Sequence, residues 1–387
     1  MLIGKTVNNQ AGFFSTNTEP KNVCILPSMV NRHGIISGLT GVGKTTTLRV
    51  VVEELSKIGV PCLVTDIKGD LSTIAERGET PAEKIAGWKP HTFPTHFWDV
   101  FGKSGEQLQT TIEELGTLLL ARMLELTAAQ ATVLSVVFDV AASMGKKVMS
   151  LDHVLEALRY LRSTSYKLRG EEFGTIPGNS VSVIQRKIFE LRRQGGESFF
   201  NSSGFSLEKM IQTKRGEGVI NILHSVELVK YPRLYATFVI WILTKLYDEL
   251  PEIGNPEKPK FVLFIDEAHL LFSGIQKNLL EKIQQAIRLI RSKGVGVFLI
   301  TQNPADIPDC ILGQIGNRVQ HSLFGYTPRE RRNIKVTAES FPPNDTLDIE
   351  HDLTSMAVGE ALVSFLDASG RPQPTEKVKI RLPQSKI

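Results

Sequence analysis

Cysteine is scarce: Cys24, Cys62 and Cys310 stand far apart in 387 residues, with no CxxC pair. That spacing argues against a disulfide framework or a cysteine-rich zinc site and suits a reducing compartment, with small buried side chains as the simplest expectation for all three. No charge of one sign dominates. Lysine and arginine total 45 against 41 acidic residues, a formal +4, too small an excess to name a nucleic-acid partner from net charge. Long apolar runs are missing as well. The greasiest, FVIWIL at 238–243, lies between Arg233 and Lys245 and falls short of a hydrocarbon layer about 30 Å thick, so no membrane partner is expected. The opening MLIGKTVNNQAGFF has no basic stretch followed by an apolar core, so no signal peptide is expected. There is no internal repeat and no low-complexity tract. With 41% hydrophobic and 22% charged residues, the expectation is a globular cytoplasmic chain with one core domain and an elaboration.

What is present is a series of short apolar runs of strand length. HGIIS (33–37), CLVTDI (62–67), GVINIL (218–223), FVLFID (261–266), GVFLIT (296–301) and ALVSFL (361–366) read as buried strands. Between the first two, Leu48, Val51, Val52 and Leu55 recur at helical spacing, and Gly59 supplies a C-cap ahead of Pro61. A strand–helix–strand opening calls for parallel strands. The series predicts an α/β fold with a doubly wound, mostly parallel sheet flanked by helices.

From about 105 to 215 the pattern turns helical. Thr127 and Gln130 form a capping-box pair, Ser150 stands at the next N-cap, and Val181, Ile184, Ile188 and Leu191 mark a third helix closed by Gly195. Pro232 and Pro251 bracket a further helix, apolar nearly all round and expected against the sheet. The expected organisation is an N-terminal part of the core at 1–104, a helical insertion at 105–215 and a C-terminal part at 216–387.

Residues 38–45, GLTGVGKT, fit GxxxxGK[ST] between a strand and a helix, the context that this phosphate-binding pattern requires. Gly38, Gly41 and Gly43 let backbone amides converge on phosphate oxygens, with the backbone of Thr40, Val42 and Thr46 completing the cradle. Lys44 is placed for the β and γ phosphates and Thr45 for Mg²⁺. A glycine-rich turn that merely packs a helix on a strand is the plainer alternative. The matching acids follow the run FVLFI: Asp266 suits the metal and Glu267 the attacking water. Glu267 also fits a bland role, as an acid at a helix N-terminus.

Asp266-Glu267-Ala268-His269 spells DEAH, but too little chain follows for the second motor domain that the helicases of that name carry, so His269 reads as a helix-start residue. Gln302, after the strand FLIT, can sense the γ-phosphate or serve as an ordinary loop amide. Arg288 and Arg291, at the end of the helix before that strand, either complement its dipole or place an arginine finger at a neighbouring subunit's nucleotide. Spacing alone leaves both open.

Over residues 30–366 the chain resembles the HerA-like branch of the HerA–FtsK superfamily of P-loop ATPases, in particular the bacterial HerA C-terminal-domain (YjgR-like) family. The resemblance is carried by HGIISGLTGVGKTTTL, DIKGDLS, FWDVFGKSG, IQRKIFELRRQGGESFF, LYATFVIWILTKLYDELPEIG, FIDEAHLLF, RLIRSKGVGVFLITQNPADIP, LGQIGNRVQH and GEALVSFLD. It implies a RecA-like P-loop NTPase core, ATP and Mg²⁺ as ligands, a homo-oligomer that is usually a hexameric ring, and DNA translocation or unwinding. It further implies Lys44 and Thr45 as the Walker A pair, Asp266 and Glu267 as the Walker B pair, Gln302 as the polar sensor and Arg291 as the finger.

DNA contact finds less support in the residues themselves. Arg186, Lys187, Arg192 and Arg193, with Lys167 and Arg169 ahead of them, form the best basic cluster, and a solvated helix face is the commoner meaning of such a run. No zinc finger or aromatic RNA-stacking signature is visible. A protein-remodelling or secretion-type ATPase, with a protein partner, and an ATP-dependent assembly protein therefore remain as alternatives. A GTPase switch is disfavoured because Asn303-Pro-Ala-Asp306 has proline where NKxD needs lysine.

Overall fold

The structure is a computed structural model that describes residues 1–6, 21–79, 88–143, 145–163, 176–200 and 205–387. Its strands are β1 Leu2–Thr6, β2 Asn22–Cys24, β3 Gly34–Ser37, β4 Cys62–Asp66, β5 Thr95–Asp99, β6 Glu106–Gln107, β7 Thr213–Lys214, β8 Glu217–Gly218, β9 Ile220–His224, β10 Phe261–Ile265, β11 Val295–Thr301, β12 Asn317–Gln320, β13 Glu360–Ser364 and β14 Glu376–Ile380. The chain divides into two compact units, one of Met1–His96, Leu207–Leu223 and Leu243–Ile387, the other of Phe97–Ser206 and His224–Ile242.

The first unit is built on a sheet in the order β2-β1-β14-β13-β12-β3-β11-β10-β4-β9. Its centre is parallel: β3 pairs with β11 and β12, and β10 with β11 and β4. Every residue of β4, β10 and β11 is buried, which is why these strands read as unbroken apolar runs. One edge is antiparallel, β12 to β13, β13 to β14, β14 to β1 and β1 to β2. The sequence patterns located β13 but not its neighbours. β12 reads NRVQ, and its two buried amides bond inside the protein: Asn317 Nδ2 donates to the carbonyls of Met29 and His33 at 2.9 Å each, and Gln320 Oε1 accepts from Ser37 Oγ at 2.5 Å. A buried strand that spends its amides this way carries no apolar signature.

The second unit is helical, with helices Ile112–Met123, Ala128–Ser143, Leu151–Leu161 and Gly178–Arg193. The capping box forms: the Thr127 amide donates to Gln130 Oε1 at 2.9 Å and the Gln130 amide to Thr127 Oγ1 at 3.4 Å. Ser150 takes the N-cap position, although its hydroxyl makes no capping bond. Val181, Ile184, Ile188 and Leu191 are the buried stripe of Gly178–Arg193. The apolar helix Pro232–Glu249 was expected on the sheet. Through Ile242 it belongs to the helical unit, where Phe238 and Trp241 pack against Phe199 with ring centroids 5.3 and 5.7 Å away. The helical unit opens at Phe97 and takes up part of this later helix.

The expectation of three buried cysteines changes for two of them. Cys62 is buried in β4, but Cys24 is exposed and Cys310 half-buried, because β2 is an edge strand with only its middle residue inside. Among the described residues no helix is long and apolar enough to cross a membrane.

The helix Lys44–Lys57 is held from outside by the chain's last described residues. Glu53, fully buried on that helix, accepts from the Ser385 amide at 2.9 Å, the Ser385 hydroxyl at 2.8 Å and the Gln384 amide at 2.8 Å, with Arg381 Nη2 at 3.4 Å. Glu53→Ala leaves these donors without their carboxylate and is expected to lower unfolding free energy by about 3 kcal/mol in denaturant titrations. Ser385→Ala, which removes one donor, is expected to cost about 1 kcal/mol.

Candidate functional site

The loop between β3 and the helix Lys44–Lys57 has its glycines where side chains cannot go. Gly38, Gly41 and Gly43 have φ of 143°, 82° and 117°, all in the region that favours glycine. A Cβ on Gly38 would stand 2.6 Å from His321 Cβ, and one on Gly43 would stand 3.3 Å from the Gly359 backbone. The loop is therefore a cradle with a fitted back wall. Lys44 is 7% exposed, and its ammonium donates to the carbonyls of Gly38 and Leu39 at 2.5 and 2.7 Å. Burial and the neighbouring Lys68 charge lower its pKa, while Glu267 and Asp266 act in the opposite sense. Helix N-terminal amides, glycine and a lysine are the donor set that a polyphosphate needs.

His321, which sequence reasoning missed, is that back wall. It follows β12, the parallel neighbour of β3, and its amide donates to the Ser37 carbonyl at 2.7 Å. The ring is fully buried. Its Nδ1 lies 2.8 Å from the Glu360 carbonyl, which can only accept, so Nδ1 carries the proton; Nε2 then accepts from Thr47 Oγ1 at 2.9 Å. Burial, reinforced by the Lys44 charge, pushes the ring's pKa down to about 4. A neutral imidazole thus ties the first turn of the helix to the start of β13. Two backbone bonds complete the brace, Leu39 amide to Ser322 carbonyl at 3.3 Å and Gly359 amide to Val42 carbonyl at 3.0 Å. The signal in the sequence was a histidine closing NRVQH, a strand too polar to be seen.

The acids arrive beside this loop through strand register. β11 lies between β3 and β10, with Thr301 level with Ser37 and Ile265 level with Leu299. Residues leaving the three strands emerge at one end of the sheet, with the outer two about 10 Å apart. Asp266 donates its amide to Thr65 Oγ1 at 2.8 Å and accepts from the Glu267 amide at 3.0 Å. Glu267 has φ of 45°, a left-handed conformation that costs a non-glycine residue on the order of 1 kcal/mol or more. It turns the carboxylate so that Oε1 accepts from Gln302 Nε2 at 3.1 Å and Oε2 lies 3.4 Å from His269 Nδ1. His269 does begin a helix, His269–Phe272, but its ring also faces the acid. Burial and then the Glu267 charge push Asp266 up to about 6, with Lys68 and Lys44 opposing.

Lys68 is the second residue that the sequence reading passed over. It sits in the loop after β4, where the Asp66 carboxylate accepts from the Gly69 amide at 2.8 Å and the Leu71 amide at 3.2 Å. That loop holds Lys68 exposed, with its charge felt by both Lys44 and Asp266.

Arg291 lies elsewhere. It precedes β11, so it stands at the far end of the strands from Gln302, about 20 Å away along the seven residues of β11. There it lines a cavity of about 490 Å³ with Arg32, Arg288 and Arg318. His33 organises this end: its Nε2 donates to the Ile287 carbonyl at 2.8 Å and its Nδ1 accepts from the Val297 amide at 3.1 Å. Burial takes its pKa down to about 4. Asn31 Nδ2 reaches the Arg291 carbonyl at 3.3 Å. Burial first, and the Arg291 charge second, lower the pKa of Arg32.

Two cations of the basic cluster in the helical unit are ion-paired. Lys187 pairs with Glu125 and Glu190 at 3.3 Å each, and Arg192 with Asp152 at 2.6 Å and Glu197 at 3.1 Å. Arg186 and Arg193 are exposed; Lys167 and Arg169 lie outside the described residues.

A P-loop on a parallel sheet, with its acid pair one strand beyond a polar sensor strand, defines a RecA-like P-loop NTPase fold. The chain belongs to the family described as Helicase HerA-like C-terminal, which it matches over residues 13–387. "Probable helicase MJ1565" of Methanocaldococcus jannaschii is 22% identical over 87% of this chain and 60% of its own length. "DNA double-strand break repair helicase HerA" of Saccharolobus solfataricus is 23% identical over 86% of this chain and 61% of its own. The chain thus spans about three-fifths of these relatives. Among solved structures, plasmid coupling protein TrwB in complex with a non-hydrolysable ATP analogue superposes with a TM-score of 0.63 at 16% identity, covering 99% of this chain and 98% of that one. VirB4 of Thermoanaerobacter pseudethanolicus gives 0.61 at 12%, covering 98% and 96%. At such identities the likeness concerns the fold.

Asp266 supplies a test of the site's electrostatics. Its folded pKa lies above the ordinary carboxylate value near 3.9, so its charge opposes folding above about 6, and that cost vanishes as pH falls toward 4. Asp266→Asn is expected to stabilise the metal-free protein by on the order of 2 kcal/mol at pH 7.5, with the gain shrinking to nothing near pH 4 in denaturant titrations.

Proposed function

We propose that this chain is the motor unit of a HerA-type ATPase that assembles as a homo-oligomeric, hexameric ring, hydrolyses ATP and moves DNA in the cytoplasm. The observation that carries the reading is the division of the strand ends. The P-loop, Asp266, Glu267 and Gln302 gather at one end of β3, β10 and β11, while Arg32, Arg291 and Arg318 gather at the other. An arginine side chain is too short to return along β11 to its own nucleotide site. Arg291 therefore has a use in catalysis only toward a second copy of the chain, which favours a ring over a monomer.

In this reading the backbone of Gly38, Thr40, Gly41, Val42, Gly43 and Thr46 holds the phosphates. The Lys44 ammonium exchanges its contacts with the Gly38 and Leu39 carbonyls for β and γ oxygens. The Thr45 hydroxyl and the Asp266 carboxylate would hold Mg²⁺, which would supply charge neutralisation of the triphosphate and polarisation of the γ-phosphoryl group. The hard oxygen donors of these two side chains suit that ion. Glu267 takes the proton of the attacking water, and Gln302, donating to Glu267 Oε1, holds that carboxylate in line. Arg291, with Arg32 beside it, stabilises charge developing on a neighbour's phosphate.

DNA as cargo draws on the family and on the names of the relatives. A protein-remodelling or secretion-type ATPase is the second reading, and the ion-paired state of Lys187 and Arg192 favours it.

ATP turnover measured with and without single- and double-stranded DNA, coupled to light-scattering mass, separates these readings. Stimulation by DNA in an oligomer supports the first; an ATPase indifferent to both DNAs moves the assignment to the second. Lys44→Ala is expected to abolish tight ATP binding, and Glu267→Gln to retain it while lowering kcat by roughly 10²–10⁴. Arg291→Ala is expected to lower kcat by about 10³ or more and to regain turnover when mixed with Lys44→Ala subunits, because each then lacks a different half of the shared site. No recovery in the mixture would assign Arg291 a structural role.

A further inference from the structure

The segment leaving β12 carries an exposed surface that the ATP site does not use. After His321, Ser322 and the buried Leu323 come Phe324, 43% exposed, and Tyr326, 82% exposed. Their ring centroids lie 6.4 Å apart at 51°, so neither covers the other. The helix Pro328–Glu339 follows at once. It turns Ile334 and Thr337 inward, and Arg329, Arg332, Lys335 and Val336 are exposed. Among the described residues none of Arg329, Arg332 and Lys335 forms an ion pair, unlike Lys187 and Arg192. Arg331 is set apart, since it lines a pocket with Asp348 and Glu350. Glu339 stands exposed at the far end of the helix.

The acid nearest the aromatic rings is already engaged. Glu330 Oε2 accepts from the Tyr326 amide at 3.0 Å and the Thr327 amide at 2.8 Å, while Thr327 Oγ1 accepts from the Glu330 amide at 3.2 Å. This capping box, with Pro328 at the first helical position, fixes the backbone that displays Tyr326. The backbone at Tyr326 is thus set before any ligand arrives, which lowers the ordering entropy lost on binding.

Two aromatic rings beside three uncompensated cations suit one chemistry well, unpaired bases carried on a phosphodiester backbone. We propose that Phe324, Tyr326 and the Arg329–Arg332–Lys335 face form a binding surface for single-stranded nucleic acid, the rings stacking on bases and the cations meeting phosphates. This rests on the nucleic-acid reading given under the proposed function and adds to it the contact surface and the strand form. The surface is also wired to the ATP site. It begins two residues after Ser322, whose carbonyl takes the Leu39 amide, and three after His321, which grips Thr47. A load on Tyr326 is therefore applied to the strand that braces the P-loop.

The test uses fluorescein-labelled oligo-dT and a matched duplex, read by anisotropy across a salt series. Tyr326→Ala is expected to weaken oligo-dT binding roughly tenfold, through lost stacking, with its salt dependence unchanged. Tyr326→Phe keeps the ring and is expected to bind as the unaltered protein does. Replacing Arg329, Arg332 and Lys335 together by Ala is expected to reduce the slope of log K against log salt by about 2. At 82% exposure Tyr326 contributes little to folding, and DNA-free ATP turnover is expected to be unchanged in all three variants.

Oligo-dT binding that is strong in the unaltered protein and equal in the variants overturns this surface while leaving the DNA motor standing. Duplex binding lost with oligo-dT binding retained overturns the strand assignment. A changed particle mass in Tyr326→Ala would make the surface a contact between copies of the chain and overturns the proposal. If the unaltered protein binds neither oligo-dT nor duplex, the DNA reading itself falls, and this surface with it.

Discussion

The parallel pairing of β3 with β11 and β12 is the constraint on which the rest of the first unit depends. Parallel strands send all their outgoing loops to one side and take all their incoming loops from the other. The P-loop, Gln302 and His321 therefore emerge together, and Arg32, Arg291 and Arg318 enter together. No local preference of these residues decides that separation. It follows from strand direction alone, and it makes the anion-receiving loop and the cationic cavity complementary faces of one sheet.

Each face is fixed by a buried neutral histidine. At the incoming end His33 donates to the Ile287 carbonyl and accepts from the Val297 amide; at the outgoing end His321 donates to the Glu360 carbonyl and accepts from Thr47. Imidazole suits both posts because one flat ring offers a donor and an acceptor on opposite sides. Burial removes the charge that would turn both nitrogens into donors. Glutamine can satisfy two partners, but only with more rotatable bonds to hold in place.

The legible part of the fold was the part with continuous apolar burial. β4, β10 and β11 could be read directly, and so could the P-loop helix, because Leu48, Val51, Val52 and Leu55 keep its period. Lys44, Asp266, Glu267 and Gln302 were legible because each follows or precedes such a strand at a fixed offset, and the structure brings Gln302 onto Glu267. What stayed hidden depended on pairing across long stretches of chain. β12 and β14 mix polar with apolar residues, and their burial follows from partners distant in the chain, Asn317 on Met29 across 288 positions and Lys377 on Asp352, at 3.0 Å, across 25. His321 was lost with β12, whereas Arg32 and Lys68 lie just outside strands that could be read, before β3 and after β4, in positions with no apolar period to mark them. Lys187 and Arg192 of the helical run met Glu125 and Asp152 through the fold, and the cations of GYTPRERRNIK stood unremarked.

The outgoing end is held in a state of electrostatic and conformational tension. Asp266 retains its proton to about pH 6, Glu267 is kept in a left-handed conformation, and the Lys44 ammonium is folded back onto carbonyls of its own loop. Two of these conditions are relieved by partners of opposite charge: a cation beside Asp266 restores its charge, and phosphate oxygens give Lys44 anionic acceptors in place of neutral ones. A site built this way gains more from a metal–triphosphate pair than from either component alone, because the two acids and the lysine are close enough to perturb one another's charge.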